Sequence, residues 1–314
     1  MRLTVVVNPA ATKVGADLRA AVVEALAADH EVTVAETAGP GDATARAALA
    51  AAEGADVVVS LGGDGTANET ANGLAGTATA LAALPGGSTN VFPRTIGFPN
   101  DTQAATTVLR TALAAGSRRR VGLGRAGERG FLFHAGIGFD ARVIELVERH
   151  SWAKRSVGPL AFAVAAGAVW LGTRDHPTFT VEVGTGTPGA GSPATERIDG
   201  RFAICLKTDP YTYLGPRPLT MAPEVGLGRP LAVVVLRDLG MATMLPALCS
   251  ALQEGRRLRE LPGVAVRTGL ERVSVSAGEP VGYQVDGEFL GATADLDVRH
   301  EPGCLDLVVP PGSG

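Results

Sequence analysis

The stretch Val57–Glu69 places the tightest constraint on the fold. An apolar, β-branched run ends at the turn Gly62-Gly63-Asp64-Gly65, and a helix-start signal follows. Glycines let the backbone approach a bulky ligand, and a helix beginning just after them offers free N–H groups and a partial positive charge. Thr66 and Glu69 have capping-box spacing, which also fits a tight turn without a ligand. Because such a turn needs no carboxylate, Asp64 favours a metal–nucleotide site.

Strands and helices alternate through the first third of the chain. The predicted strands are Leu3–Val7, Val32–Ala35, Asp56–Leu61 and Ala80–Leu84; the predicted helices are Asp17–Ala28, one capped by Asp42 and ending near Gly54, one ending near Leu74, and one capped by Asp101 and ending near Ala115. This alternation predicts a parallel sheet covered on both faces. Ligands of such sheets bind at the carboxyl ends of the strands, where the second glycine turn, Pro85–Asn90, must also lie.

Beyond Arg125 the pattern changes and strands dominate. The predicted strands are Gly130–Ala135, Phe179–Val183, Phe202–Leu206, Leu231–Leu236, Val264–Arg267, Val273–Val275 and Val281–Val285. The predicted helices are Asp140–Glu148, Leu160–Leu171 and Met241–Leu261, the last with Arg256, Arg257 and Arg259 in its final turns. Gly184–Ala194 is predicted to be a hairpin tip. This half therefore predicts an antiparallel β-sandwich or layered sheet.

Composition narrows the class of protein. The chain has 314 residues, 46% of them apolar, and a net charge of −4, which gives no basic field for nucleic acid. Its first residues form too short an apolar run for a signal peptide, and Leu160–Leu171 is too short to span a bilayer. Cys205, Cys249 and Cys304 lack metal-ligand spacing. We therefore expect a soluble cytoplasmic protein without a zinc site.

Two other motifs are set aside. Gly136–Ala141 matches a dinucleotide fingerprint, but the region about 20 residues on, Trp152–Ser156, is basic and not strand-like. No Gly-Lys-Ser/Thr follows any glycine run, so a P-loop is absent. His134, on a predicted strand, is interpreted as a core or wall residue, and no nucleophile elbow supports Ser-His-Asp catalysis.

Several separated motifs together resemble one family. They are Asn8-Pro9, Gly62–Thr66 with Asn68-Glu69, Leu84–Phe92, Gly136–Ala141, Lys154-Arg155 with Gly158, Ala222-Pro223 and Asp286-Gly287-Glu288. In this order they resemble the diacylglycerol kinase catalytic-domain family, which includes bacterial lipid kinases and sphingosine kinases. The resemblance implies an α/β N-terminal domain with a Rossmann-like parallel sheet, similar to NAD kinases and phosphofructokinases, and an antiparallel β-sandwich C-terminal domain. It implies that residues 1–125, with a returning segment 290–314, form the nucleotide-binding domain. Residues 126–289 would form the domain that binds the lipid substrate.

The resemblance also implies an ATP-dependent lipid kinase with ATP in the cleft between domains and the cofactors ATP and Mg²⁺. The residues implied to bind the nucleotide are Asn8, Pro9, Gly62, Gly63, Gly65, Thr66, Glu69, Gly87, Thr89 and Asn90. Asp64 and Glu288 would organise Mg²⁺, and Asp286 would accept the proton of the lipid hydroxyl; these three form the implied catalytic set. Phosphoryl transfer needs little beyond such positioning and charge neutralisation. On its own, Asp286-Gly287 also fits a plain β-turn.

Two departures from the family pattern bear on these roles. Val91 stands where the family often has aspartate, and Leu227-Gly228 stands where it usually has Asp-Gly at a structural metal site. Two alternatives stay open: an NAD kinase-like enzyme, which the second glycine turn and Asp286-Gly287-Glu288 fit poorly, and a degenerate kinase fold that binds lipid or nucleotide without turnover.

The expected partner is a lipid substrate, reached peripherally at the inner membrane face. Candidate contacts for anionic headgroups are Arg118–Arg120, Lys154-Arg155 and the Arg256, Arg257, Arg259 cluster, although plain solvated charge is preferred for any single cluster. Ala161–Leu171 and Met241–Leu252 would line an acyl groove or be core helices, and core is favoured for each. A homodimer through edge strands is left open.

Overall fold

The N-terminal part of the chain forms the predicted parallel sheet. The computed structural model describes residues 1–149, 165–170, 177–185 and 194–312. The sheet has four strands, β1 (Arg2–Val7), β2 (Glu31–Glu36), β3 (Val57–Gly62) and β4 (Ala80–Pro85). They lie in the order β4-β3-β1-β2, and every pairing among them is parallel. All side chains of β3 and β4 are buried, as expected of strands covered on both faces.

Three helices connect these strands, α1 (Ala16–Ala27), α2 (Asp42–Ala52) and α3 (Asp64–Leu74), and two more follow β4, α4 (Val91–Thr95) and α5 (Thr102–Ala114). Asp101 caps α5 as predicted, because its Oδ1 accepts the N–H of Ala104 at 2.9 Å. The predicted cap at Asp42 is wrong by one residue. Gly41, with φ +83°, is the N-cap of α2, and the Asp42 carboxylate instead accepts the N–H of Ala38.

The middle of the chain is mainly antiparallel, which confirms the predicted fold class. Its elements are β5 (Arg118–Ala126), β6 (Arg129–Phe131), β7 (His134–Gly138), α6 (Phe139–Arg149), β8 (Phe179–Thr185), β9 (Ala194–Gly200), β10 (Phe202–Leu206), β11 (Thr212–Leu214), β12 (Arg217–Leu219), β13 (Leu231–Leu236), α7 (Met241–Ala251), β14 (Val264–Leu270), β15 (Arg272–Val285) and β16 (Glu288–Val308). The order β14-β13-β10-β7-β15-β16 is antiparallel throughout, and β8 and β9 extend from β15.

The chain divides into two units, Met1–Leu123 with Pro302–Gly314, and Gly124–Glu301. Strand β16 contributes to both. Its residues up to Arg299 pair with β15, whereas Asp306 and Leu307 pair in parallel with β4. The assignment of the first unit to nucleotide and the second to lipid stays a prediction.

Alternate residues of β10 and β13 enter two separate cores. Cys205 and Val233 lie in one core with residues of β8 and β15, while Ile204 and Val234 lie in the other with residues of α6 and α7. Successive side chains of a strand point to opposite faces, so a strand buried on both faces must be apolar throughout. That is why the unbroken runs in these two strands were predicted with the observed bounds.

The predicted helix over Met241–Leu261 is wrong in length. Helix α7 ends at Ala251, and a separate 3₁₀ turn covers Leu258–Glu260. Between them Glu254 and Gly255 both have φ of +68°, a left-handed backbone that ends a helix. The arginines at 256, 257 and 259 therefore follow the helix instead of forming its final turns.

Other predictions differ in extent or lie outside the described residues. Gly130–Ala135 is two short strands, β6 and β7, and strands β5, β9 and β16 were not predicted. Lys154-Arg155, Gly158 and most of the 184–194 linker lie outside the described residues; of Leu160–Leu171, residues 165–170 are helical. No described helix is both long and apolar enough to cross a membrane.

Candidate functional site

The two predicted glycine turns pack against each other at the carboxyl ends of β3 and β4. The N–H of Gly86 donates to the carbonyl of Gly62 at 2.7 Å. A Cβ added at Gly86 would lie 3.0 Å from the Cα of Gly62, and one added at Gly87 would lie 2.8 Å from the Cα of Gly63. Glycine is therefore required at 86 and 87, because two backbones approach here more closely than side chains allow.

Asp64 joins these two turns. It is the first residue of α3, and its Oδ2 and Oδ1 accept the N–H groups of Val91 and Phe92, both at 2.9 Å. A carboxylate at the start of α4 satisfies amides that have no partner within that helix. The carboxylate between the glycines thus has a positioning role that sequence alone did not reveal. Its predicted role as a magnesium ligand stays a prediction.

Asn90 closes the second turn. Its side chain is 1% exposed and its backbone is left-handed, with φ +53°. Its Oδ1 accepts the N–H of Gly87 at 2.8 Å, and its Nδ2 donates to the carbonyl of Gly87 at 3.0 Å and to Oδ1 of Asn100 at 2.7 Å. Thr89, next to it, accepts a hydrogen bond from Arg94 through its carbonyl. Asn90 therefore shapes the turn with every hydrogen-bonding group of its amide.

The loop after β1 reaches the same edge. Asn8 accepts the N–H of Ala10 through Oδ1 at 3.0 Å and donates from Nδ2 to Oγ1 of Thr66 at 3.3 Å, while Pro9 is exposed. The N–H of Lys13 donates to the carbonyl of Gly86 at 3.0 Å. The structure thus brings Asn8 and Thr66 together with both glycine turns, and their contact with a nucleotide stays a prediction.

Glu69 lies elsewhere, and the predicted capping box is wrong. The N-cap of α3 is Gly63, so Thr66 already lies in the first turn. Glu69 accepts the N–H groups of Gly41 and Ala43 at 2.9 and 3.1 Å and so caps α2. These contacts account for Glu69 structurally, and its nucleotide contact stays a prediction.

Gly65 is the one glycine of the first turn that is exposed. A Cβ added there would meet no atom within 4 Å, and its backbone is not left-handed. The first N–H groups of any α-helix have no acceptor within the helix. Neither packing nor backbone conformation requires glycine at 65. An anion bound to the first turn of α3 would require it, because the anion would occupy the space of a side chain.

In the second unit, Asp286 and Gly287 form the two-residue turn between β15 and β16. Their φ angles are +48° and +83°, as in a type I′ hairpin. The Asp286 carboxylate is buried and accepts the N–H groups of Leu132, Phe133 and His134 at 2.7, 3.0 and 3.0 Å. Three amide donors stabilise its negative charge and fix its orientation.

Glu288 follows directly and pairs with Arg129, Oε2 to Nη2, at 2.8 Å. Among the residues that the structure describes, no three His, Cys, Asp or Glu side chains converge in a metal-binding group. The two predicted magnesium ligands thus accept protein donors, Asp64 from amides and Glu288 from a guanidinium, and the structure offers no preformed metal site through them.

A buried polar cluster behind the Asp286 turn was not predicted. Gln284, which is 0% exposed, donates to Oδ2 of Asp140 at 2.6 Å and accepts the N–H of Gly287 at 2.8 Å. Tyr211 donates to Oδ1 of Asp140 at 2.6 Å. A Cβ at Gly136 would lie 1.7 Å from the Asp140 carboxylate, which explains the glycine of the Gly136–Ala141 motif. The available signal was one glutamine in the apolar run Val281–Val285.

His134 is a buried core residue, as interpreted from the sequence. Its ring stacks on Tyr211 with 4.7 Å between centroids, and its Nδ1 lies 3.2 Å from Nε2 of Gln284. Burial lowers the pKa of the His134 imidazole from 6.5 to about 3, so the ring is neutral at neutral pH. Burial also raises the pKa of the Asp140 carboxyl, against the hydrogen bonds from Tyr211 and Gln284.

These shifts predict how acid destabilises the second unit. Between pH 6.5 and 3, His134 is protonated in the unfolded chain but neutral in the folded chain. The free energy of unfolding therefore falls as the pH falls, by up to about 1.4 kcal/mol per pH unit from this residue. Asp140 acts in the opposite direction from pH 3.8 up to its raised pKa. We expect His134→Gln to lose less stability than the wild type between pH 6.5 and 5, measured by urea unfolding. Equal losses would contradict the assignment.

The side chain of Lys207 contacts the loop around Leu227-Gly228, where the sequence departs from the family pattern. Its side chain is 0% exposed, and its Nζ donates to the carbonyls of Gly226, Leu227 and Arg229 at 3.2, 3.0 and 2.8 Å. Asp209 holds the start of the same loop by accepting the N–H groups of Met221 and Ala222. The loop around Leu227-Gly228 is therefore organised by an ammonium group of the protein itself.

Comparison with known proteins shows what the first unit is similar to. Residues 2–126 match the profile of the diacylglycerol kinase catalytic domain. Over these residues the chain is similar to that domain. A diacylglycerol kinase of Staphylococcus aureus (strain JH9) is 32% identical over 167 residues, which are 52% of this chain and 51% of that protein. The match thus spans about half the length of the relative, and the catalytic-domain profile covers both glycine turns and the Asn8-Pro9 loop.

Solved structures share the whole fold. One from Bacillus anthracis str. Sterne, provisionally described as a diacylglycerol kinase, has a TM-score of 0.77 at 22% identity and covers 100% of this chain and 96% of its own. A second, described as a diacylglycerol kinase of the same organism, has a TM-score of 0.69 at 20% identity, with coverage of 100% and 98%. At such identities the likeness concerns the fold alone, and it extends through both units.

Proposed function

We propose that this protein is an ATP-dependent lipid kinase that transfers the γ-phosphoryl group of ATP to the hydroxyl of diacylglycerol or a related lipid. The match of residues 2–126 to the diacylglycerol kinase catalytic domain carries the proposal. The name of the Staphylococcus aureus relative supports this lipid as the first acceptor to test.

The first unit would bind ATP. Its two glycine turns present backbone at the carboxyl ends of two adjacent parallel strands, the usual position for a ligand in such a sheet. The first turn of α3 offers N–H groups to a phosphate, and Gly65 leaves the space above them open. Asp64 and Asn90 would act by fixing the shape of the two turns. ATP supplies the phosphoryl group, and Mg²⁺ would accompany its phosphates.

The second unit would supply the proton acceptor. Asp286 is a single oriented carboxylate, held by the amides of Leu132, Phe133 and His134, with the buried Gln284 behind its turn. As the lipid hydroxyl attacks the γ-phosphoryl group, its proton would pass to Asp286. Such a positioned acceptor contributes about 10²–10⁴ in rate.

A phosphate-transfer assay tests the function directly. The pure protein is incubated with labelled ATP, Mg²⁺ and, separately, diacylglycerol, a sphingoid base and NAD. We expect label in the diacylglycerol fraction. Label in NAD alone would establish the NAD kinase-like alternative, and ATP binding without transfer to any acceptor would establish the degenerate fold.

Gly65 provides a test of the ATP site that is separate from chemistry. We expect Gly65→Ala to weaken ATP binding about tenfold or more, which corresponds to about 1.4 kcal/mol or more, because the new methyl group would occupy the ligand's space. The fold should not suffer, since alanine is favoured over glycine within a helix by roughly 0.5–1 kcal/mol.

The matched control is Gly278→Ala, which also adds a methyl group in open space but lies in the second unit. Calorimetric titration with ATP should show wild-type affinity for this control. Unchanged affinity in Gly65→Ala would remove the first turn of α3 from the ATP site.

A further inference from the structure

Helix α7 has its large apolar side chains on the outside. The buried residues of its inner face are small or polar: Thr243, Ala247, Ser250 and Ala251. The exposed large hydrophobic residues are Met241 at 55%, Leu245 at 52%, Leu248 at 46% and Leu252, the C-cap, at 39%. Their spacing of three and four residues puts them on one stripe. The expectation that Met241–Leu252 is a core helix therefore holds for its inner face, where Ala247 and Ala251 lie in a core, and not for its outer face.

This stripe is concentrated and uncharged. Eight large hydrophobic side chains are exposed in the described part of the chain, and four of them lie on this one stripe. No charged residue occurs between Met241 and Leu252. Scattered exposed leucines need no explanation, but a contiguous apolar patch marks a site of interaction with an apolar surface.

Exposed arginines follow the helix. Arg256 and Arg257 come five and six residues after Ala251, and both are exposed. Arg256 pairs with Glu254 at 2.7 Å, in a pair that is largely exposed to solvent. Arg257 forms no ion pair with any described side chain, so its guanidinium is available to an external anion.

A second arginine precedes the helix. Arg237 is exposed, and Asp238 beside it is engaged in capping α7 by accepting the N–H of Gly240 at 2.8 Å and the hydroxyl of Thr243 at 2.9 Å. In the chain, an exposed arginine thus stands on each side of the stripe, Arg237 before it and Arg257 after it. Exposed apolar side chains on a helix can enter the boundary between headgroups and acyl chains, and arginines near the surface are attracted to anionic lipids.

We propose that the outward face of α7 docks the protein on an anionic phospholipid surface. The stripe would enter the boundary between headgroups and acyl chains while Arg237 and Arg257 contact lipid phosphates. This inference rests on the proposed function, because a kinase for a bilayer lipid must reach the bilayer. A second copy of the chain fits less well: one short helix face offers a few hundred Å², whereas a stable protein interface buries about 800 Å² per partner.

Vesicle co-sedimentation tests the surface. The full chain is sedimented with vesicles of phosphatidylglycerol and phosphatidylcholine, and with pure phosphatidylcholine. We expect binding to the anionic vesicles that weakens with added salt, and a loss of about tenfold or more in Leu245→Gln/Leu248→Gln. The matched control is Leu49→Gln, since Leu49 is 57% exposed on α2 of the first unit. Equal binding of the double variant and the wild type would overturn the proposal.

A fluorophore on Cys249 gives an independent test of the docking surface in a protein that still binds the vesicles. It is exposed on α7, whereas Cys205 is buried, so in a Cys304→Ser background a polarity-sensitive fluorophore labels Cys249. We expect its emission to shift to the blue on anionic vesicles. An unchanged spectrum on vesicles that bind the protein would place the docking surface elsewhere. A dimer in sedimentation velocity that the double variant converts to monomer would assign the stripe to self-association and overturn the proposal.

Kinase assays separate this proposal from the proposed function. With a short-chain, water-soluble diacylglycerol, the Leu245→Gln/Leu248→Gln variant should keep wild-type turnover; with diacylglycerol in anionic vesicles it should lose about tenfold. Equal loss on both substrates would assign the leucines to the fold or the substrate site and overturn the docking proposal. A wild-type protein that binds vesicles through α7 but phosphorylates neither substrate would overturn the function and leave the surface standing.

Discussion

Replacing Asp286 with asparagine is expected to lower the turnover of lipid phosphorylation by about 10²–10⁴-fold. An amide cannot accept the hydroxyl proton. The native carboxylate accepts three backbone N–H groups at 2.7–3.0 Å, and asparagine keeps only one oxygen to accept them. Its NH₂ group would face an N–H donor, so the substitution also weakens the hold on the turn.

Separate measurements distinguish chemistry from structure in this variant. ATP affinity should be unchanged in Asp286→Asn, because the ATP site is assigned to the first unit. Urea unfolding followed by tryptophan fluorescence should show a second unit that remains folded. Both tryptophans lie within residues 124–301, so this signal reports on that unit.

The matched control is Asp295→Asn, an exposed aspartate on β16 in the same unit. It should keep wild-type turnover. Near-normal turnover in Asp286→Asn would rule out Asp286 as the proton acceptor, and the turn would then be explained by its hairpin geometry alone.

Replacing Lys207 with methionine is expected to lower the free energy of unfolding of the second unit by about 1–3 kcal/mol, the cost of a buried hydrogen-bond acceptor left without its donor. Methionine fills a similar volume but donates no hydrogen bond. The carbonyls of Gly226, Leu227 and Arg229 would lose their common donor. Gly226 and Leu227 are half-buried and Arg229 is exposed, so water and relaxation of the loop offset the loss at the carbonyls that solvent can reach.

Arg217→Met is the matched control for stability, because Arg217 is a cationic side chain that is exposed and lies in the same unit. Its free energy of unfolding should stay within about 0.5 kcal/mol of the wild type. Urea unfolding with tryptophan fluorescence measures both variants. A Lys207→Met protein as stable as the control would show that the three carbonyls find other donors.

The fold was predictable where burial alone determines the pattern. Leu231–Leu236 is apolar on both faces because it lies between two cores, and its bounds were predicted correctly. The outer face of helix α7 was misjudged because an apolar helix facing a core and one facing outward share the same sequence pattern. Strand β16 was missed because Gly291, Pro302 and Gly303 interrupt it, and its pairings with β15 and β4 are set by the tertiary fold.

The candidate site was predictable in position but not in contacts. The glycine turns follow apolar strands, so their place at one edge of the sheet could be inferred from strand–helix alternation. The partners of Asp64 lie 27 and 28 residues away, and those of Asp286 lie 152 to 154 residues away. No local spacing encodes such contacts. Lys207 gave no signal, because its acceptors are backbone carbonyls that every residue carries.

The double membership of β16 has a consequence for biosynthesis. Asp306 and Leu307 form the ladder neighbour of β4, whose residues are all buried in the finished molecule. A chain emerging from the ribosome has made the four parallel strands long before residue 306, and until then β4 is an open, apolar sheet edge that invites pairing with other chains. The first unit is thus translated first but completed only when the end of β16 has been made. Nascent chains halted between residues 124 and 301 should therefore be the species most in need of a chaperone.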